Sequence, residues 1–133
     1  MQQYLSNNGI DNNNIQHIGF DLNEVLTRNA SILKTLQENG CVTDGTKPTL
    51  VICEAVLFYL IPDAPKKLTT ELFSLPQSRY CFTDNLAKLG VTPGPPMPIS
   101  AKQKCETWLQ DNDKELIAHD AIWGGAIHFV GAK

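Results

Sequence analysis

The sequence predicts an α/β fold in which parallel strands with flanking helices lead to an antiparallel β-hairpin at the C-terminal end. Three observations carry this expectation. Apolar runs of strand length alternate with stretches of helical periodicity. Acidic residues stand where the strand-like runs stop, and Gly124-Gly125 split the last two runs as a hairpin turn does.

The elements follow in order. Residues 1–14 contain Asn7, Asn8, Asn12, Asn13 and Asn14 and are expected to form an irregular surface segment. Ile15 to Leu22, IQHIGFDL, places Ile18 and Phe20 in alternation and reads as a strand ending at Asp21. Between Asn23 and Glu38, the residues Val25, Leu26, Ala30, Leu33 and Leu36 recur at helical steps. They predict one amphipathic helix, with Asp21 or Asn23 as its cap and Asn39-Gly40 as its stop. After a polar loop from Thr43 to Pro48, the continuous run TLVIC has the composition of a strand covered on both faces, with Glu54 at its C-terminal end. Asp63 and Pro65 read as the cap and first turn of a second helix, whose Leu68, Leu72, Phe73 and Leu75 face the core and whose stop is Pro76. Ser78 to Leu86 is a strand with an acidic end, Asp84-Asn85, that reads as a turn initiator. The proline-rich stretch from Gly90 to Ser100 is loop, Ala101 to Leu109 a helix, and KELIAHDAIW with AIHFVGAK the hairpin, at which Trp123 is expected to pack. The order implies three layers, helices on both faces of one sheet. Ligands in such sheets bind outside the carboxyl ends of the strands, where Asp21, Glu54 and Asp84 fall.

Composition excludes several functions. The chain of 133 residues is 42% hydrophobic, enough for one globular domain, and its net charge of −3 with no basic run longer than Lys66-Lys67 argues against nucleic acid as a partner. The apolar run Ala55 to Ile61 is far shorter than the roughly 20 residues of a membrane span. The N-terminus lacks the basic and apolar regions of a signal peptide, so a cytoplasmic protein without a membrane partner is expected. Cys41, Cys53, Cys81 and Cys105 form no CxxC pair and no Cys/His spacing of metal-binding type, so no metal ligand is expected and the cysteines read as reduced thiols, with Cys53 and Cys81 as small core hydrophobes. No Gly-x-Ser-x-Gly elbow accompanies His119-Asp120, which excludes that form of hydrolase. His17 and His128 read as strand residues, and Tyr59 as a half-buried packing aromatic. One carboxylate is out of place. Glu54 sits inside LVICEAVLFYLIP, and a buried charge there costs several kcal/mol unless something meets it.

The stretch HIGFDLNEV, followed by a helix and then KPTLVICEAVLFYL, resembles the leucine carboxyl methyltransferases and their bacterial relatives. That family carries a strand ending in Asp-Leu and a segment P-T-L-x-I-x-E-x-V-L-x-Y-L, all of whose fixed positions are present from Pro48 to Leu60. The detailed likeness covers roughly residues 15 to 62 and continues more loosely to the C-terminus. It implies a Rossmann-like class I methyltransferase fold with an antiparallel last strand, S-adenosylmethionine as cofactor, and a methyl acceptor such as a protein or small-molecule carboxylate. It also implies Asp21 and Leu22 against the adenine and Glu54 in the lining of the cofactor pocket. The family's earlier glycine-rich turn and ribose-binding acid are not found before residue 15, where SNNGIDNNN offers one glycine. Residues 15–133 are therefore expected to be the C-terminal half of a methyltransferase domain, with a partner chain covering its exposed sheet edge. The alternative is a catalytically inactive half-domain that serves as an interaction module, or an incomplete gene product.

Overall fold

The computed structural model describes residues 15–41, 43–91 and 99–133. The expectations for residues 1–14 and for most of the proline-rich loop lie outside the described residues. Two short helices, α1 (Glu24–Thr27) and α2 (Ile32–Glu38), precede strand β1 (Thr49–Glu54). Helix α3 (Ala64–Phe73) leads to β2 (Ser78–Asp84), and α4 (Ile99–Gln110) to β3 (Leu116–Ile122) and β4 (Ile127–Ala132).

The four strands form one open mixed sheet in the order β1-β2-β4-β3. β1 and β2 run parallel, in register from Thr49 opposite Ser78 to Glu54 opposite Thr83. β4 is antiparallel to both neighbours, so the last strand in sequence slots between β2 and β3. The expected hairpin forms around a 3₁₀ turn at Trp123–Gly125. Trp123 does not pack there: it is 79% exposed.

Two other expectations change. Ile15 to Leu22 is not a strand; it makes no ladder with the sheet, and Phe20 and Leu22 pack onto the core from irregular backbone. A strand needs a partner for its N–H and C=O groups, and two alternating apolar residues supply none. The single helix expected from Asn23 to Glu38 is two, separated where Asn29 adopts a left-handed φ of 53°. The break has a cause in α3. Ser31 caps α2 by accepting from Lys34 N at 3.0 Å, while the Glu71 carboxylate accepts from the Ser31 hydroxyl and from Ile32 N and Leu33 N at 3.3 and 3.2 Å. A carboxylate that satisfies free amides at a helix start favours a new helix there.

All the described helices lie on one face of the sheet. Beneath them, Tyr80, Phe82 and Val130 are buried, and Phe73 meets Tyr80 edge-on at 4.8 Å while Trp108 lies 5.5 Å from both Phe73 and Phe82. The register places Leu50, Ile52, Cys81, Phe129 and Ile122 on the opposite face, and Leu50 and Ile52 are 62% and 65% exposed. The expected three layers are two among the described residues, and Cys81, read as a core hydrophobe, is exposed. The reason is plain in β1: its continuous apolar run suits a strand covered on both faces, and the described helices cover one.

The two faces should respond differently to substitution. Phe82→Ala is expected to lower unfolding stability by about 3 to 5 kcal/mol, and Ile52→Thr by less than about 0.5 kcal/mol, measured by urea denaturation. Comparable losses would contradict an open face.

Candidate functional site at the carboxyl ends of β1 and β2

The carboxylate in the middle of LVICEAVLFYLIP is not buried. Glu54 ends β1 on the open face and is exposed, and among the described residues its side chain makes no hydrogen bond or ion pair. The chain turns sharply at once. Ala55 takes a left-handed φ of 51°, uncommon for a residue with a Cβ, while its N–H completes the ladder to Thr83 O at 2.9 Å.

The turn aims three successive amides at one acceptor. Val56 N and Leu57 N donate to the Asp84 carboxylate at 2.6 and 2.7 Å, and Phe58 N donates at 3.4 Å. Asn85 N adds a fourth donor at 2.7 Å. Asp84 is completely buried, so it is this carboxylate, at the end of β2, that the interior holds. It is more than the turn initiator expected from Asp84-Asn85: it ties the exit of β1 to the end of β2.

The far side of the same segment is held equally. Lys88 donates from Nζ to the carbonyls of Phe58, at 2.7 Å, and of Leu60. Ile61 N donates to Asn23 Oδ1 at 2.9 Å. Leu57 and Leu60 point into the core, whereas Tyr59, expected to be half-buried, is 74% exposed and lies against Phe58. Residues 55–61 thus form a fixed shelf past the end of β1, with Glu54 at its start and Tyr59 on its outer surface.

The Asn23 bond draws the Asp21-Leu22-Asn23 turn to this shelf. Asp21 is exposed and accepts from Asn23 N at 2.9 Å, two residues before Asn23 caps α1 without a side-chain bond, and Leu22 is half-buried against the core. Asp21 does not end a strand, but its turn lies at the end of the sheet where Glu54 emerges. Asp63, expected to cap α3, makes no side-chain cap bond and sits at φ 66°. Sequence reasoning missed Lys88 and the side chain of Asn23; the one local signal was a strand ending in Asp-Asn with a lysine four residues beyond Asp84.

Elsewhere, an open groove of about 640 Å³ lies between the α1–α2 junction and α3, lined by Leu26, Asn29, Ser31, Asp63, Lys67 and Glu71 among others. It includes none of Asp21, Leu22 and Glu54. Two pairs of its polar groups are engaged across it, Lys67 with Asn29 and Glu71 with Ser31. A second cluster lies beneath α4, where Cys105 meets His119 and His128.

No protein-family model, curated protein or solved structure matches the chain. Among the described residues no helix is long and apolar enough to cross a membrane.

Removing the shelf's anchor leaves buried amides without an acceptor. Asp84→Ala is expected to cost about 3 kcal/mol of unfolding stability, read from the denaturation midpoint; a loss of under about 0.5 kcal/mol, the range of ordinary surface changes, would contradict the anchoring role. Thiol chemistry checks the burial independently. Burial, and after it the charges of Asp84 and Cys81, push Cys53 up to about 11, while Cys81 is open to solvent. Alkylation of the native protein at neutral pH followed by peptide mapping should label Cys81 first and leave Cys53 unlabelled until the protein unfolds. Equal rates at the two would contradict the sidedness of the sheet.

Proposed function

We propose that the chain is the C-terminal half of a cytoplasmic S-adenosylmethionine-dependent methyltransferase domain of the leucine carboxyl type. The observation that carries this reading is the shared position of Glu54 and the Asp21-Leu22 turn at one end of the sheet, joined through Asn23 and the rigid shelf. A last strand inserted antiparallel between β2 and β3 supports it, because a Rossmann-like methyltransferase ends in an antiparallel strand.

In this reading Asp21 accepts a hydrogen bond from the adenine amino group, Leu22 gives the ring an apolar surface, and Glu54 faces the positively charged part of the cofactor. Methyl transfer is a direct displacement at a sulfonium, so the protein's task is to hold donor and acceptor in line. A carboxylate acceptor is already ionised and needs no base, and no catalytic base is assigned. The open face of Leu50, Ile52 and Phe129 is then the surface against which the complementary half, bearing the glycine-rich turn, packs. Four free cysteines suit a reducing compartment.

The second reading, an inactive half-domain retained as an interaction module, draws on the same open face and on the missing glycine-rich turn. Calorimetric titration of the folded chain with S-adenosylmethionine separates the two. The methyltransferase reading expects saturable binding that Asp21→Ala and Glu54→Gln each weaken about 10-fold, roughly one lost hydrogen bond or charge contact, without lowering the melting temperature. No binding by a cooperatively folded preparation overturns it for this chain and favours the inactive module.

A further inference from the structure

The Cys105, His119 and His128 cluster plays no part in the proposed methyl transfer. Cys105 projects from α4 and is fully buried, His119 stands on β3, and His128 on β4 is 1% exposed. Their donor atoms converge. Cys105 Sγ lies 3.3 Å from His128 Nδ1, His119 Nε2 lies 3.2 Å from the same nitrogen, and all three atoms fall within 4.8 Å of one another.

We propose that Cys105 Sγ, His119 Nε2 and His128 Nδ1 form a binding site for a zinc-class divalent ion, with solvent in the fourth position. Zinc takes nitrogen at about 2.0 Å and sulfur at about 2.3 Å in tetrahedral geometry, which sets neighbouring donors roughly 3.3 to 3.6 Å apart. The two short separations here are close to that range before any ion is placed.

Hydrogen bonding alone does not close the cluster. His128 Nδ1 carries either a lone pair or a proton, yet two polar neighbours crowd it. Its other nitrogen, Nε2, is buried without a hydrogen-bond partner among the described residues. Coordination at Nδ1 replaces the contested proton and fixes the ring proton on Nε2. Burial, the largest cause for each, holds both imidazoles below their ordinary value. Of the charged groups acting on His119, Asp120 stands beside it in the chain, while Lys102 and Glu106 lie 3.8 Å apart as an ion pair. The Cys105 thiol, pushed up to about 12 by burial in the metal-free protein, gives up its proton to solvent as the sulfur–metal bond forms. The mixed thiolate and imidazole set selects zinc over magnesium or calcium, which take oxygen. An ion here staples α4 to β3 and β4.

Sequence spacing hid this site because each donor comes from a different element, and only α4 crossing the β3–β4 hairpin brings them together. The test uses the full chain, stripped of metal with a chelator and titrated with cobalt(II), a coloured substitute for zinc. The expected result is one cobalt per chain, with a sulfur-to-cobalt charge-transfer band and the intense visible bands of a tetrahedral centre, both displaced by zinc. Cys105→Ala and His119→Ala should each lose the charge-transfer band or weaken binding about 100-fold or more, beyond the 10- to 100-fold typical of outer-shell partners. Both keep the buried His128, and circular dichroism confirms that they fold. Cys81→Ser, which alters an exposed thiol, should leave the spectrum unchanged. Absence of the band in the folded native chain, or unchanged cobalt affinity in His119→Ala, overturns the proposal, as does loss of the band in Cys81→Ser.

Discussion

The carboxylate of Asp84, buried at the end of β2 and surrounded by four backbone N–H groups, is the interaction on which the arrangement at the carboxyl ends of β1 and β2 depends. An isolated charge in that position would be too costly to keep, so the donors and the acceptor have to be built together. The donors are available only because Ala55 turns the chain into the left-handed region straight after Glu54. One local distortion therefore accounts for two things. It folds the three amides after Ala55 inward, past the Glu54 carboxylate that the pleat of β1 already holds on the open face, and it fixes the shelf on which Tyr59 stands. Lys88 and Asn23 complete the arrangement by satisfying carbonyl and amide groups on the shelf's other side. What the segment offers to a ligand is a preorganised surface whose own polar groups are already engaged.

The sheet has a second property that follows from its sequence. β1 is apolar from Leu50 to Cys53, and a strand of that kind is stable in a layered α/β protein because helices cover both of its faces. Here α1 to α4 cover one. Leu50, Ile52, Ile117 and Phe129 form the outer surface of an otherwise well-packed domain. An apolar face left uncovered in this way needs a partner to avoid self-association.

Much of this was legible in the sequence, and the failures have identifiable causes. Elements whose signal is a continuous apolar run or a full helical stripe, such as TLVIC or Leu68, Leu72 and Phe73, lie where pattern alone puts them. The strand expected at residues 15–22 rested on two alternating residues and found no ladder partner. The break in the first helix depends on Glu71, forty residues beyond Ser31, which no local window contains. For the site, sequence could place Glu54 and Asp84 at strand ends but not decide which carboxylate is buried, because that depends on which face of the sheet the helices cover. The meeting of Cys105, His119 and His128 was still less accessible, being a product of tertiary packing alone.

The measurement that tests this account most directly is amide hydrogen exchange at Val56, Leu57 and Phe58, followed by NMR on the native chain. If Asp84 makes the shelf part of the core, Val56 and Leu57, whose amides make the shortest bonds to it, exchange as slowly as the β2 amides and only through global unfolding. Exchange at the rate of an open loop, with β2 still protected, would mean that the shelf opens on its own and that the sheet end is not the preorganised surface described above.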